Sequence, residues 1–381
     1  MIEKLINLNA KEKKDIFNWD DILAIPEFEV LNHTEQSKKW HGEGNVWQHT
    51  MQVCAFAEDY CYTVGITGDC YDRKVLLTAA LFHDIGKGTT TTFTNDWHAY
   101  GHEIAGEKIT RKLLWNESVR FREDVCALVR WHMTPLEMIK DKYIPNAIAS
   151  MSKNVPSLKL LFALKWSDLE GSQPADYALK KLNFNIIRSL RNWAFEMGCF
   201  TKPSTIPTKG QIPDVEFDKQ KYTSKPVAVV DLMIGLPGAG KSTIIKDITR
   251  DMDKNKYTII SRDIVRHELG FCGENEKIVG TNEQENQVTK KINDEILSAA
   301  KNGKLIFIDN INLKKKYRDE FKNLLKDYSV IWHYIYVEAK GIETNVKRRD
   351  GQISGTVLEG MINNIEWPLR EEYDHLEIFE N

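Results

Sequence analysis

The sequence predicts two domains of different class: an all-α helical bundle over residues 1–200 and an α/β domain with a parallel sheet over residues 227–381. Three observations lead there. A chain of 381 residues exceeds what one hydrophobic core usually serves. Residues 45–200 place apolar side chains at helical spacing, with little β-branched alternation. Later, short β-rich runs alternate with helical ones, which implies parallel strands covered by helices on both faces.

In the first half the spacing predicts helices at Thr50–Tyr62, Lys74–His83, His102–Leu114, Arg122–His132 and Ser157–Asp168. The stretch 201–226, TKPSTIPTKGQIPDVEFDKQKYTSKP, holds four of the eleven prolines and little periodicity, so it is expected to be a linker. Strands are then expected at Val227–Ile234, Tyr257–Ile260, Leu305–Asp309 and Val330–Val337. Helices from Lys241 and over 262–270, 283–301 and 314–326 fall between them.

Composition adds exclusions. Hydrophobic content of 42% and charged content of 28% are those of an ordinary globular protein. A net charge of −3 argues against a strongly basic scaffold for bulk nucleic-acid binding, though not against a local basic groove. Runs such as Val75–Phe82 and Lys304–Ile308 are too short to span a membrane, and no signal peptide is evident. The six cysteines form no CxxC pair and are expected to be reduced, mostly buried thiols in a cytoplasmic protein.

Residues 235–243 read GLPGAGKST. Gly235, Gly240, Lys241 and Ser242 match the phosphate-binding loop G-x-x-x-x-G-K-[ST], with Gly238 and Thr243 inside the same stretch. Glycines there let backbone N–H groups approach phosphate oxygens, and the following helix N-terminus adds a favourable dipole. Lys241 is suited to the β- and γ-phosphates of ATP or another NTP, and Ser242 to Mg²⁺. Next comes IISRDIVR, residues 259–266. Asp263 at a strand's carboxyl edge suits proton acceptance from an attacking hydroxyl, and Arg266 one turn later suits a substrate phosphate. The plain alternative is a solvated acidic–basic pair. LIFIDNIN, residues 305–312, places Asp309 beside the Mg²⁺. NVKRRD followed by GQISG reads as a basic helix end before a flexible lid.

In the first half, six side chains stand out as metal ligands: His49, His83, Asp84, His102, His132 and Asp168. The anchor is HDIGK, residues 83–87, with Gly86 expected to end the helix. Imidazole with carboxylate suits a divalent transition metal, and two ions together activate water and clamp a phosphoryl group. Lys87 lies close enough to meet a substrate phosphate. His33, His41 and His98 are read as ordinary polar residues.

Two resemblances attach to these motifs. RDIVR, DNIN and VKRR with ISGTVLEGM resemble the 5′-hydroxyl polynucleotide kinases of phage and bacterial RNA repair. That resemblance implies Asp263 as general base, Arg266 on the acceptor phosphate and Arg348 on the donor phosphates. The phage-type lid has a second arginine where this chain has Gln352, and Arg349 is the substitute at hand. The pattern of HDIGK with flanking His and Asp residues resembles the HD phosphohydrolases, and GEGNVWQHT is similar to their first-ligand segment in tRNA nucleotidyltransferases. Together the halves resemble the bacterial HD-Pnk proteins. The pairing implies a bifunctional enzyme that removes 2′, 2′,3′-cyclic or 3′ phosphates and phosphorylates 5′-hydroxyl ends. It implies RNA ends, or DNA ends, as substrates, a separate RNA ligase as partner, and no membrane. Two other readings fit the motifs: an HD nucleotidase joined to a nucleoside or small-metabolite kinase, and an NTP-gated RNA-binding regulatory module.

Overall fold

The computed structural model describes residues 1–68, 70–141, 143–204, 227–271, 281–349 and 353–381. It divides into two compact units that meet in sequence between residues 213 and 214. Residues 205–226 of the expected linker, Cys272 and the lid positions 350–352 with Gln352 lie outside the described residues.

The first unit is helical. Its principal helices are α1 (Val46–Thr63), α2 (Tyr71–Phe82), α3 (His102–Leu113), α4 (Val119–Trp131), α5 (Ile144–Met151), α6 (Leu158–Gly171) and α7 (Tyr177–Glu196). α1 begins at Val46, earlier than expected, because Asn45 and Gln48 form a reciprocal capping box that satisfies the first turn. α1 packs on α2 and α6, and α3 on α4, around a core that includes Val53, Leu77, Leu81, Val125 and Leu161. α2 and α6 are buried over most of their length, as helices at the centre of a bundle are. A short antiparallel ribbon pairs Thr92–Phe93 with Trp97–His98, an element the helical pattern does not reveal.

Gly86 does not end a helix through left-handed geometry. α2 already stops at Phe82, and Gly86 has φ −67°. Its need is closeness: a Cβ there would lie 2.0 Å from the His102 carbonyl oxygen and 2.5 Å from the Gly106 nitrogen. Gly86 is what lets the HD segment touch the start of α3.

The second unit is a five-stranded, wholly parallel sheet with strands β1 (Val227–Ile234), β2 (Tyr257–Ile260), β3 (Leu305–Ile308), β4 (Ser329–Glu338) and β5 (His375–Glu380) in the order β2-β3-β1-β4-β5. The helices are α8 (Lys241–Thr249), α9 (Arg262–Glu268), α10 (Asn282–Lys301), α11 (Lys315–Leu324), α12 (Ile342–Arg348) and α13 (Gly355–Ile362). β1 sits centrally, with β3 on one side and β4 on the other, so the strand order reverses at its carboxyl end. Open α/β sheets bind ligands at such a point. Met233, Phe307, Ile335 and Val337 fill the core between β1, β3 and β4.

Among the described residues no helix is long and apolar enough to cross a membrane. Cys54, Cys61, Cys126 and Cys199 are buried, Cys70 is partly so, and all five are free thiols.

The second unit contains a fully buried ion pair. Arg318 Nε donates to Glu372 Oε2 at 2.8 Å and Nη2 to Oε1 at 3.1 Å, while Nη1 donates to the Asn312 carbonyl. Removing one partner strands the other's charge in the core, at a cost of about 3–5 kcal/mol. Glu372→Ala is therefore expected to destabilise this unit by that amount. The double change Arg318→Met with Glu372→Leu should cost less than the single one. Denaturant unfolding of the full chain, followed by hydrogen exchange in β1 and β4, reads both.

Candidate functional sites

In the first unit six side chains from three helices and two helix-ending turns converge. His49 lies in the first turn of α1, His83 and Asp84 directly follow α2, His102 opens α3, His132 follows α4, and Asp168 lies in the last turn of α6. All six are buried.

Local backbone chemistry aims the imidazoles. A helix end leaves carbonyls without an intrahelical partner. His83 Nδ1 lies 2.8 Å from the Ala80 carbonyl oxygen and His132 Nδ1 2.8 Å from that of Val129. His102 Nδ1 lies 2.7 Å from the Ala99 carbonyl oxygen, again three residues back. A carbonyl only accepts, so each Nδ1 carries the proton, and a ring in its neutral form then presents its Nε2 lone pair to the cluster. His49 Nδ1 lies 2.8 Å from Glu43 Oε1 but off the line of a hydrogen bond.

The four Nε2 atoms face one another and Asp84. His49 and His83 Nε2 are 3.4 Å apart and lie 3.7 and 3.3 Å from Asp84 Oδ2. Asp168 Oδ1 closes this group, 3.2 Å from His49 Nε2. His102 and His132 Nε2 are 3.2 Å apart and lie 3.4 and 3.8 Å from Asp84 Oδ1. Asp84 thus offers one oxygen to each of two ligand groups.

The donor set fits divalent cations. Burial, with the neighbouring His102 and His83 adding to it, holds His132 well below the usual imidazole range, and burial likewise lowers His102. Two neutral Nε2 lone pairs and a carboxylate oxygen then face one another, a repulsive arrangement that a Lewis acid between them resolves. Burial works to raise the Asp84 carboxyl, but His83 and Lys87 outweigh it and hold it well below the usual range. Asp84 Oδ2 is buried without a hydrogen bond; Lys87 Nζ is 2.7 Å away but off line. Burial would lower His49, yet Asp168 and Glu43 raise it to about 9, so the group attracts positive charge.

Several participants are not among the six candidate ligands. Glu43 lies 2.8 Å from Nδ1 of both His41 and His49 and accepts from the Gln173 backbone N–H at 2.7 Å. His41 therefore departs from the ordinary role expected of it: its ring packs against His49 with centroids 4.7 Å apart. His33 pairs with Glu29 at the surface, as expected of it. Lys165 donates to Asp168 Oδ2 at 2.7 Å from within the core. Acidic or basic residues one helical turn from a ligand are the only sequence clue to such partners.

In the second unit the loop Gly235–Gly240 joins β1 to α8. Gly235 has φ 154°, and a Cβ there would meet the Val337 carbonyl oxygen at 2.2 Å. Gly238 has φ 75°, and a Cβ there would lie 2.6 Å from the Asn345 carbonyl oxygen. Lys241 Nζ donates to the Gly235 and Leu236 carbonyls at 2.9 Å each. Burial lowers the Lys241 ammonium to about 8; Arg349 adds to this, while Asp309 and Asp263 oppose it. Ser242 Oγ donates to Asp309 Oδ2 at 2.6 Å, directly after β3. Thr243 follows in the exposed first turn of α8.

Asp263 opens α9 just beyond β2 and is exposed. Arg266 Nη1 donates to it at 2.9 Å, and Arg349 Nη2 lies 4.0 Å away. Glu285 of α10 clamps Arg266 through Nε at 2.8 Å and Nη2 at 3.0 Å, and also receives Arg262 at 3.0 Å. The motif carries no trace of Glu285, which lies more than a turn of chain away on another helix. Arg348 Nη1 donates to the Ala239 carbonyl at 3.2 Å, on the loop itself. Buried Asn345 holds the Pro237 carbonyl at 2.8 Å.

Comparison with known proteins follows the same division. The family described as HD domain matches residues 46–168, and that described as AAA domain matches residues 230–366. The bifunctional uridylyltransferase/uridylyl-removing enzyme of Ruegeria pomeroyi is 30% identical over 166 residues, covering 39% of this chain and 17% of that protein. The multifunctional CCA protein of Shewanella frigidimarina is 33% identical over 93 residues, 24% of this chain and 20% of that protein. The chain thus spans about a fifth of the length of these curated relatives. Among solved structures, the Pnkp1/Rnl/Hen1 RNA repair complex aligns at 19% identity over 40% of this chain and 49% of that chain, with a TM-score of 0.33. The two family matches fall in this order on the two units, an HD-domain match on the helical unit and an AAA-domain match on the parallel-sheet unit with the P-loop, which is the order that the resemblance to the HD-Pnk proteins implies.

Proposed function

We propose that the chain is a bifunctional end-healing enzyme for nucleic acid. Residues 1–200 remove 2′ or 2′,3′-cyclic phosphates, 3′ phosphates included in the class, and residues 227–381 phosphorylate 5′-hydroxyl ends with ATP or another NTP. The observation that carries this reading is the coexistence of two complementary phosphate chemistries in one chain. One is a buried cluster divided between the two oxygens of Asp84. The other is a phosphate loop with an exposed carboxylate, Asp263, in the electrostatic field of Lys241.

In the first site, His49, His83, Asp84 and Asp168 hold one divalent cation, and His102, His132 and Asp84 a second. Such cations supply Lewis acidity toward a phosphoryl oxygen and a water of lowered pKa. The chain's own contribution is orientation: the Nδ1 contacts fix each ring, and Glu43 and Lys165 fix His49 and Asp168. Lys87 lies at Asp84, at the edge of the cluster, to meet the substrate phosphate.

In the second site, backbone N–H groups of 235–241 cradle the donor phosphates, with Lys241 neutralising charge on the transferring group. Ser242 and Asp309 hold Mg²⁺. Asp263 takes the proton of the attacking hydroxyl, and Arg266, held by Glu285, orients the acceptor phosphate. Arg348 and Arg349 reach the donor side. The ends produced, a 3′-hydroxyl and a 5′-phosphate, are those a nucleic-acid ligase joins, so a separate RNA ligase is the proposed partner.

The test incubates the protein with a 5′-hydroxyl oligoribonucleotide ending in a 2′,3′-cyclic phosphate, with and without ATP, and maps both ends. Oligodeoxyribonucleotides and mononucleosides serve as competitors. Phosphorylation of mononucleosides in preference to oligonucleotides would overturn the reading.

Two mutational outcomes are expected. Lys241→Ala or Asp263→Ala should lower 5′ phosphorylation by at least about 100-fold, the scale of a lost charge-stabilising group or general base, and leave phosphate removal intact. Loss of both activities in a folded mutant would contradict separate sites.

The cluster yields the second. His83→Ala and Asp84→Ala should eliminate phosphate removal. His102→Ala or His132→Ala should reduce it strongly and lower bound metal by about one ion per chain under two-metal stoichiometry. Elemental analysis with a phosphate-release assay checks this. Full metal content and full activity in both of the latter variants would return His102 and His132 to a structural role.

A further inference from the structure

A cleft of about 560 Å³ opens over the histidine cluster of the first unit, within the range of small-ligand sites. His41, Lys87 and His102 are among its lining residues. Lys87 Nζ and His102 Nε2 both reach the Asp84 carboxylate, at 2.7 and 3.4 Å, so the cleft leads to the cluster.

One part of its lining is aromatic. Trp40 comes from the segment before α1, Trp97 and His98 from the ribbon, and Tyr100 from the turn before α3. Trp40 is 42% exposed and Tyr100 82%. His98 and Tyr100 stack, with centroids 5.3 Å apart and planes 10° from parallel. Lys39 Nζ lies 4.8 Å from the Trp40 ring centroid, which places a cation at the same rim.

The rings are tied to the reaction centre. Asp96, in the ribbon's turn, accepts from the Trp97 backbone N–H at 2.8 Å and from the Ser37 hydroxyl. The neighbouring Gln36 accepts from Lys87 at 3.1 Å, and Lys87 meets Asp84. A continuous polar chain therefore sets the ribbon against Asp84. Exposed rings contribute little to the core here. A bare phosphate makes no use of them, whereas a planar base attached to that phosphate does. Unpaired bases stack on aromatic side chains with little regard to sequence.

We infer that Trp40, Trp97 and the His98–Tyr100 stack form a platform for the base of the nucleotide whose phosphate enters the cluster. The site then takes the unpaired end of a nucleic-acid strand in preference to an aliphatic phosphate ester. This rests on the phosphohydrolase reading above.

The test uses the full chain loaded with metal and two 5′-fluorescein oligoribonucleotides ending in a 2′-phosphate. They are identical except that the last nucleoside of one is abasic. Fluorescence anisotropy with the corresponding 3′-hydroxyl product strands reads binding, and phosphate release from the 2′-phosphate strands reads turnover. The wild type is expected to prefer the base-bearing strand by about 5- to 100-fold in affinity, the scale of one stacked base. The double variant Trp97→Ala with Tyr100→Ala should bring the preference close to one, and Tyr100→Phe should keep it. Tyr177→Ala, an equally exposed ring on α7 outside the cleft, should also keep it. Equal affinity for the two strands in the wild type, or an intact preference in both the double variant and Trp40→Ala, would overturn the platform. Base-dependent binding without phosphate release would leave the platform standing and defeat the phosphohydrolase reading. Phosphate release with no base preference would do the reverse.

Discussion

The hydrogen bond from a histidine Nδ1 to the carbonyl three residues before it is the interaction on which the first site depends. It recurs at His83, His102 and His132. It gives a carbonyl a side-chain donor, places the proton on Nδ1 and turns Nε2 inward, all at once. Three separate chain segments thereby deliver lone pairs to one buried point. That concentration of lone pairs and carboxylates is unfavourable alone, and divalent cations, which the donor set fits, would offset the repulsion. Asp84 must then serve both sides, because its two oxygens face the two imidazole pairs separately.

The second unit builds its candidate phosphate site with backbone instead. Gly235 and Gly238 permit a loop so close to Val337 and Asn345 that side chains would collide. The Lys241 ammonium is buried and rests on two carbonyls. The proposed donor end is thus a loop between a central strand and a helix. The proposed acceptor end is built from side chains: Glu285 holds Arg266, which in turn holds Asp263. Without Glu285, Arg262 would keep only Thr289 and Arg266 only Asp263 as side-chain partners, so under the proposed function Glu285 is a positioning residue outside the phosphate loop.

Much of both sites was legible because the chemistry is local in sequence. The phosphate loop is contiguous, and HDIGK places His83 and Asp84 side by side. The strand and helix alternation after residue 227 reads directly as a parallel sheet, although β5 escaped notice as a short edge strand of mixed polarity, HLEIFE. What was not legible depends on tertiary placement. Glu43 acts from a loop before α1, inside GEGNVWQHT but without a role that the segment assigns to it, and Lys165 acts from one turn before its partner, outside any motif. His41 looked like any surface imidazole until the fold set it against His49. Gly86 looked like a helix stop, whereas its lack of a Cβ is needed by a backbone sixteen residues later, at His102. The ribbon at Thr92–His98 is too short for periodicity to reveal, yet it carries part of the cleft's aromatic lining.

The central claim is that Asp84 joins two cation positions in one buried cluster. Electron paramagnetic resonance of the full chain titrated with Mn²⁺ addresses it most directly, since two ions sharing a carboxylate couple magnetically. The account predicts an exchange-coupled signal that grows to two ions per chain and collapses to an isolated-ion spectrum in Asp84→Asn. A spectrum of isolated Mn²⁺ in the wild type, saturating at one ion per chain in the first unit, would contradict it.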